Sequence, residues 1–161
     1  MSIRACWMVA VIVACSGASV GSYEPPIPPG NQGTLRTVSQ PILYSGISDR
    51  RRQVIRDQAA WESAWQEMFA RVSLKPPRPA VDFTAEMILL AAMGERPNGG
   101  YSIHIDGIFI APDGSVTVAV TEMSPDRNCA QAAVMTQPVH FAVAPKSETV
   151  AFAERQGTQG C

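Results

Sequence analysis

Residues 87–93, Met-Ile-Leu-Leu-Ala-Ala-Met, run without a polar side chain between Glu86 and Gly94. A continuous apolar run of that length, stopped by a glycine, fits a strand buried on both faces. It leads directly into Gly94-Glu95-Arg96-Pro97-Asn98-Gly99-Gly100-Tyr101, after which Tyr101, Ile103 and Ile105 alternate with Ser102, His104 and Asp106. A connection holding three glycines, a proline and an asparagine has to turn the chain sharply. Pro97 fixes its own φ and pushes Arg96 towards an extended conformation, while Gly99 and Gly100 are free to take positive φ. Two readings of this loop stand side by side. In one it is a rigid presenting surface carrying Glu95, Arg96 and Asn98. In the other it is only a turn that lets Tyr101 pack against a helix.

The remaining patterns are mostly those of strands. Residues 35–39 and 42–45 are short strand candidates. The alternation after Tyr101 slips phase at Gly107, where a bulge brings residues 108–110 into the core. Pro112-Asp113-Gly114 is a turn, and Val116, Val118 and Val120 then alternate with Thr117, Ala119 and Thr121 to complete a hairpin. Val139, Phe141 and Val143 alternate again, Pro145-Lys146-Ser147 turns, and residues 149–153 are expected to close a last hairpin. One helix interrupts the series. Asp57 caps residues 58–71, with Trp61, Trp65, Met68 and Val72 on one stripe and Glu62, Gln66, Glu67 and Arg71 opposite. The fold class expected is α+β: a mostly antiparallel, strongly twisted or rolled β-sheet with one packed amphipathic helix. The basic stretch Arg50-Arg51-Arg52 reads as a solvated edge strand or helix lead-in, the alternative being an anion site.

The N-terminus carries an address. Residues 1–14 read as a signal peptide, with Arg4 ahead of an apolar run too short to span a bilayer. The run ends Ile12-Val13-Ala14-Cys15, which resembles the lipobox of bacterial lipoproteins, so Cys15 is a candidate lipidation site. Cleavage after Ala18, giving a secreted protein without a lipid, is the alternative. Residues 15–33 then form a Pro/Gly/Ser tether with Pro25-Pro26-Ile27-Pro28-Pro29 at its centre, which favours polyproline II and would hold a domain about 50 Å from a membrane. The folded domain is expected over residues 34–161. Of the four cysteines, Cys6 falls in the signal and Cys15 at its cleavage site. Cys129 and Cys161 remain, an even pair in an oxidising compartment, and a disulfide between them is expected to pin the C-terminus.

Chemistry is sparse. A net charge of −1 and the absence of a basic stripe give no electrostatic basis for binding nucleic acid. There is no phosphate loop, dinucleotide fingerprint or nucleophile elbow, so no cofactor is expected. Ser102, His104 and Asp106 share a strand face, but parallel side chains roughly 6–7 Å apart do not make a triad. His104, Asp106 and His140 lack the short spacing of a metal site, and neither a catalytic nor a metal residue is assigned.

The order of Trp61, Trp65, Val81-Asp82-Phe83, residues 87–90, the 94–103 loop and strand, Ser124-Pro125, Cys129, Gln137-Pro138 and Phe141-Ala142-Val143-Ala144-Pro145 resembles the C-terminal domain of the PrcB family of protease complex subunits. The resemblance runs over most of residues 34–155, with Gly99-Gly100-Tyr101 its most specific piece. It implies a non-enzymatic cell-envelope protein, periplasmic or outer-membrane, often lipid-anchored, with a protein partner such as a protease. Glu95, Arg96, Pro97, Asn98, Gly99, Gly100 and Tyr101 are the candidate partner-binding loop. The same loop resembles, in its proline and final Gly-Tyr, the inhibitory loop of chagasin-type cysteine-protease inhibitors. Protease inhibition by loop insertion is therefore the alternative, and a small-ligand-binding envelope domain a further one.

Overall fold

A computed structural model of the chain describes residues 30–37 and 40–161. The segment expected to be a signal peptide, Cys15 and the proline-rich part of the expected tether lie outside the described residues. Those described form β1 (Asn31–Gly33), β2 (Arg36–Thr37), β3 (Arg50–Ile55), α1 (Gln58–Met68), β4 (Glu86–Met93), β5 (Ser102–Ile110), β6 (Val116–Pro125), β7 (Val139–Pro145) and β8 (Val150–Gln159). The expected mostly antiparallel β architecture with one packed helix is present, divided into two four-stranded sheets that do not close into a barrel. Their strand orders are β1-β5-β6-β8 and β2-β7-β4-β3.

The apolar run explains the layering. Ile88, Leu90 and Ala92 of β4 face α1, packing with Trp61, Trp65, Met68 and Phe141. Met87, Leu89, Ala91 and Met93 face the other sheet, packing with Ile103, Ile105, Val116, Val118 and Val120. β4 is buried on both sides because its sheet is the middle of three layers: helix, sheet, sheet. The helix begins as expected, with the Asp57 carboxylate accepting from Ala60 N at 2.8 Å. It ends at Met68, three residues short of the expected Arg71.

The β5–β6 hairpin is formed, and the register shifts between Ile105 and Gly107, where the bulge was expected. Asn31–Gly33, in the stretch read as tether, pairs with β5 through Asn31↔Ile110 and Gly33↔Ile108. The last hairpin is not formed. β7 lies in the middle sheet, whereas β8 crosses to the outer sheet and runs parallel to β6, from Val116↔Val150 to Pro125↔Gln159. The crossing is held by Ser147, whose hydroxyl donates to Gly114 O at 2.8 Å, and by Arg56, which donates to Ser147 O and Glu148 O. Phe152 and Val150 then reach the core between the sheets, burial that a β7–β8 hairpin would not supply.

Arg50, Arg51 and Arg52 lie on β3, an edge strand as expected, and each is matched by a carboxylate. Arg52 pairs with Glu122 at 2.5 Å and Glu154 at 2.9 Å, and Arg50 with the same two. Arg51 faces the helix side, bound by Glu67 and Asp49 at 2.8 Å each. The Glu67 and Asp49 carboxylates drive the Arg51 guanidinium pKa further up, so this charge is permanent.

Candidate functional site

The loop at 94–101 is pinned at both ends and along its length. Gly94 takes φ +74°, and a Cβ there would meet Arg50 N at 2.8 Å and Asp49 C at 2.9 Å. Only glycine fits where the backbone passes β3 that closely. Glu95 N then donates to Ser48 O at 3.0 Å, and Arg96 exchanges backbone hydrogen bonds with Thr136 at 2.8 and 2.9 Å. The Asn98 carboxamide accepts from Gly100 N at 3.0 Å, closing the turn with its own side chain. Thr136 Oγ1 donates to Asn98 O at 2.8 Å, and Gly99 N donates to Ala132 O at 3.3 Å.

This wiring changes the roles expected of individual residues. Glu95 and Pro97 are exposed; Arg96, Asn98, Gly99, Gly100 and Tyr101 are half-buried. The Arg96 guanidinium lies over the Tyr101 ring, 5.6 Å from its centroid, a cation–π contact. Arg96 and Asn98 therefore brace the loop from within and do not project from it. Tyr101 packs on the core between the two sheets, not on the helix. Positive φ, open to Gly99 and Gly100, is taken by neither; the Asn98 side chain closes the turn, and the left-handed residue of the loop is Gly94. Gly100 is needed for space, since a Cβ would lie 2.6 Å from the Gln131 carboxamide and 2.7 Å from Pro125 Cβ. Gly99 has room, its nearest neighbour being Val134 Cγ1 at 3.9 Å.

The loop shares its end of the molecule with residues that the sequence did not single out. Two hollows of about 270 and 410 Å³ adjoin there as the two halves of a groove, with Tyr101, Pro125 and Gln131 common to both linings. Leu43, Gln159 and Gly160 line one half, and Pro97, Cys129 and Ala133 the other. Beside it Val134, Met135 and Tyr44 are exposed, at 38%, 49% and 52%. The disulfide between Cys129 and Cys161 is present and forms part of the rim. The cysteine pair was the one sequence signal pointing to this neighbourhood; an isolated Val-Met pair in an irregular stretch offers none.

The histidines serve the fold. His140 is buried, and its Nδ1 accepts from Ile105 N at 2.9 Å, joining β7 to β5 across the two sheets. The His104 ring lies 6.1 Å from it, edge-on. Asp106 sits in the bulge, its carboxylate taken by the Thr121 hydroxyl at 2.5 Å, which also accepts from Arg155. Among the described residues no three His, Cys, Asp or Glu side chains are arranged to hold a metal ion.

The segment that holds this loop in place, β4 through β7, is where likeness to known proteins is found. Residues 87–145 match the PrcB C-terminal family model. The PrcB C-terminal match takes in the whole 94–101 loop, the β5–β6 hairpin, the irregular segment with Cys129, and β7, and stops short of α1 and β8. No curated protein and no solved structure matches the chain.

Proposed function

We propose that the chain is an exported, lipid-anchored, non-enzymatic envelope protein that binds a protein partner through its loop end, as an accessory subunit of a protease complex. The observation that carries this reading is the PrcB C-terminal match, which covers the loop and all the strands that aim it. Geometry supports the direction of presentation. Gly30 lies against Ile110, at the end of β5 opposite the loop. A nine-residue strand spans about 30 Å, so a domain tethered through the residues that precede β1 holds its groove away from the membrane. Envelope localisation and lipidation at Cys15 rest on the N-terminal sequence.

The docking surface under this reading is Glu95, Pro97, Tyr44, Val134 and Met135 around the groove, with Arg96 and Asn98 supporting it from beneath. Loop insertion in the chagasin manner is less well served, because the backbone from Arg96 to Gly99 is paired along residues 132–136. Affinity capture of the tethered protein from envelope extract, wild type against Val134→Asp plus Met135→Asp, tests the proposal. Loss of one specific partner from a folded double variant is expected. Retention of every captured protein would remove the loop end as the docking surface.

A further inference from the structure

Residues 126–135 form no helix or strand, and none of them belongs to either core cluster. What holds them is sparse. Asp126 N donates to Gln159 O at 2.9 Å, Ala132 O accepts from Gly99 N at 3.3 Å, and the Arg96–Thr136 pair follows at the segment's end. The strongest fastening is covalent: Cys129 is bonded to Cys161, two residues beyond the end of β8. This segment supplies one wall of the groove, and its Gln131 side chain lies against Gly100.

We propose that the Cys129–Cys161 disulfide is a redox-sensitive strap on the docking groove. The proposal rests on the protein-binding role of the loop end. A dithiol reductant transfers two electrons and two protons to the disulfide. One of its thiolates attacks a cysteine sulfur to give a mixed disulfide, and its second thiol then resolves this as a cyclic disulfide, leaving Cys129 and Cys161 as thiols. Cys161 is exposed and Cys129 half-buried, so the bond is within reach. Once cut, residues 126–135 are left with a few solvent-accessible hydrogen bonds, the signature of a segment that opens locally. The groove wall and the backing of the 94–101 loop open, while the two sheets and α1, held by cores to which neither cysteine belongs, stay folded.

Amide hydrogen exchange on the full chain tests this, comparing the oxidised protein, the protein in dithiothreitol, and a Cys129→Ser plus Cys161→Ser variant. Exchange at Gly99, Arg96 and Thr136 is expected to rise roughly ten- to a hundredfold on reduction, with Leu89 and Leu90 of β4 unchanged. The Ser variant is expected to match the reduced protein in both conditions. Unchanged exchange at Gly99 and Thr136 would overturn the strap. So would a rise in β4 of the same size, which would make the bond a staple of the whole fold. Capture with the same three samples separates the two proposals. Opening on reduction with no partner bound even by the oxidised chain leaves the strap standing and removes the docking function. A partner held equally by oxidised and reduced chain keeps the docking function and overturns control by the strap.

Discussion

Where β3 faces β6 and β8, the two ends of the space between the sheets are built from opposite materials. Along β6 the inward positions read Val116, Val118, Val120 and then Glu122; along β8 they read Val150, Phe152 and then Glu154. On β3, running the other way, Val54 gives way to Arg52 and Arg50. The change comes one step earlier on β8, where Glu154 lies level with Val120 and Gln156 with Glu122. Arg50, Arg52, Glu122 and Glu154 meet as a charge cluster between β3, β6 and β8, with Glu122 buried, Arg52 nearly so, and Arg50 and Glu154 partly exposed. Met93, Ile103 and Tyr101 keep the middle strands apolar at the same end. Apolar packing is non-directional and tolerates sliding, whereas a buried carboxylate between two guanidinium groups is satisfied in one arrangement. Along this edge the end nearer the loop is held in register by charge, and the far end is held together by burial.

Substitutions in each half separate these roles. Leu89→Ala in the apolar half is expected to cost about 3–4 kcal/mol, read as a lowered denaturant midpoint with the loop amides still protected below the transition. In the charge cluster, Glu122→Gln removes one of the two carboxylates on Arg52, leaving Glu154, and is expected to cost about 2 kcal/mol. Arg52→Met plus Glu122→Met, which keeps the Arg50–Glu154 pair, is expected to recover most of that loss. If the double variant is as unstable as the single, charge is not what holds this half. Gly94→Ala, at the point where the loop leaves β4 beside Arg50, is expected to cost about 2 kcal/mol by thermal melting. His140→Ala, which strips Ile105 N of its acceptor between the sheets, is expected to cost about 1–2 kcal/mol. Gly99→Ala, with open space and no positive φ, is expected to stay within about 0.5 kcal/mol of wild type. A large loss there would mean that Gly99 does need the positive φ its sequence context suggests.

Much of the fold is legible in residue order because local pattern and tertiary burial agree. The unbroken run Met87 to Met93 reads as a strand covered on both faces, and the stripe of Trp61, Trp65 and Met68 as a packed helix. Gly107 marks its own bulge, and elimination among the cysteines leaves Cys129 and Cys161. The last strand is different. Alternation from Thr149 to Ala153 suits a hairpin with β7 as well as a parallel place beside β6, and the choice is made by where Phe152 finds a core. Glu122 is likewise opaque, since only a fold that brings β3 across can show why a carboxylate continues a row of valines. In the loop the position was legible but not the use of its side chains. Thr136, far along the chain, takes the backbones of Arg96 and Asn98 with no local signal to link them, and this leaves their side chains to turn inward on Tyr101 and Gly100.

The proposal that the loop end docks a protein and the far end does not is put to the test by site-specific photo-crosslinking in the full chain. A photoreactive side chain is placed at Pro97, at Met135 and, at the start of β8 and the end of that strand remote from the groove, at Ala151. The account predicts the same crosslinked envelope protein from Pro97 and Met135 and none from Ala151. Crosslinks from Ala151 alone, or the same product from all three positions, would contradict it.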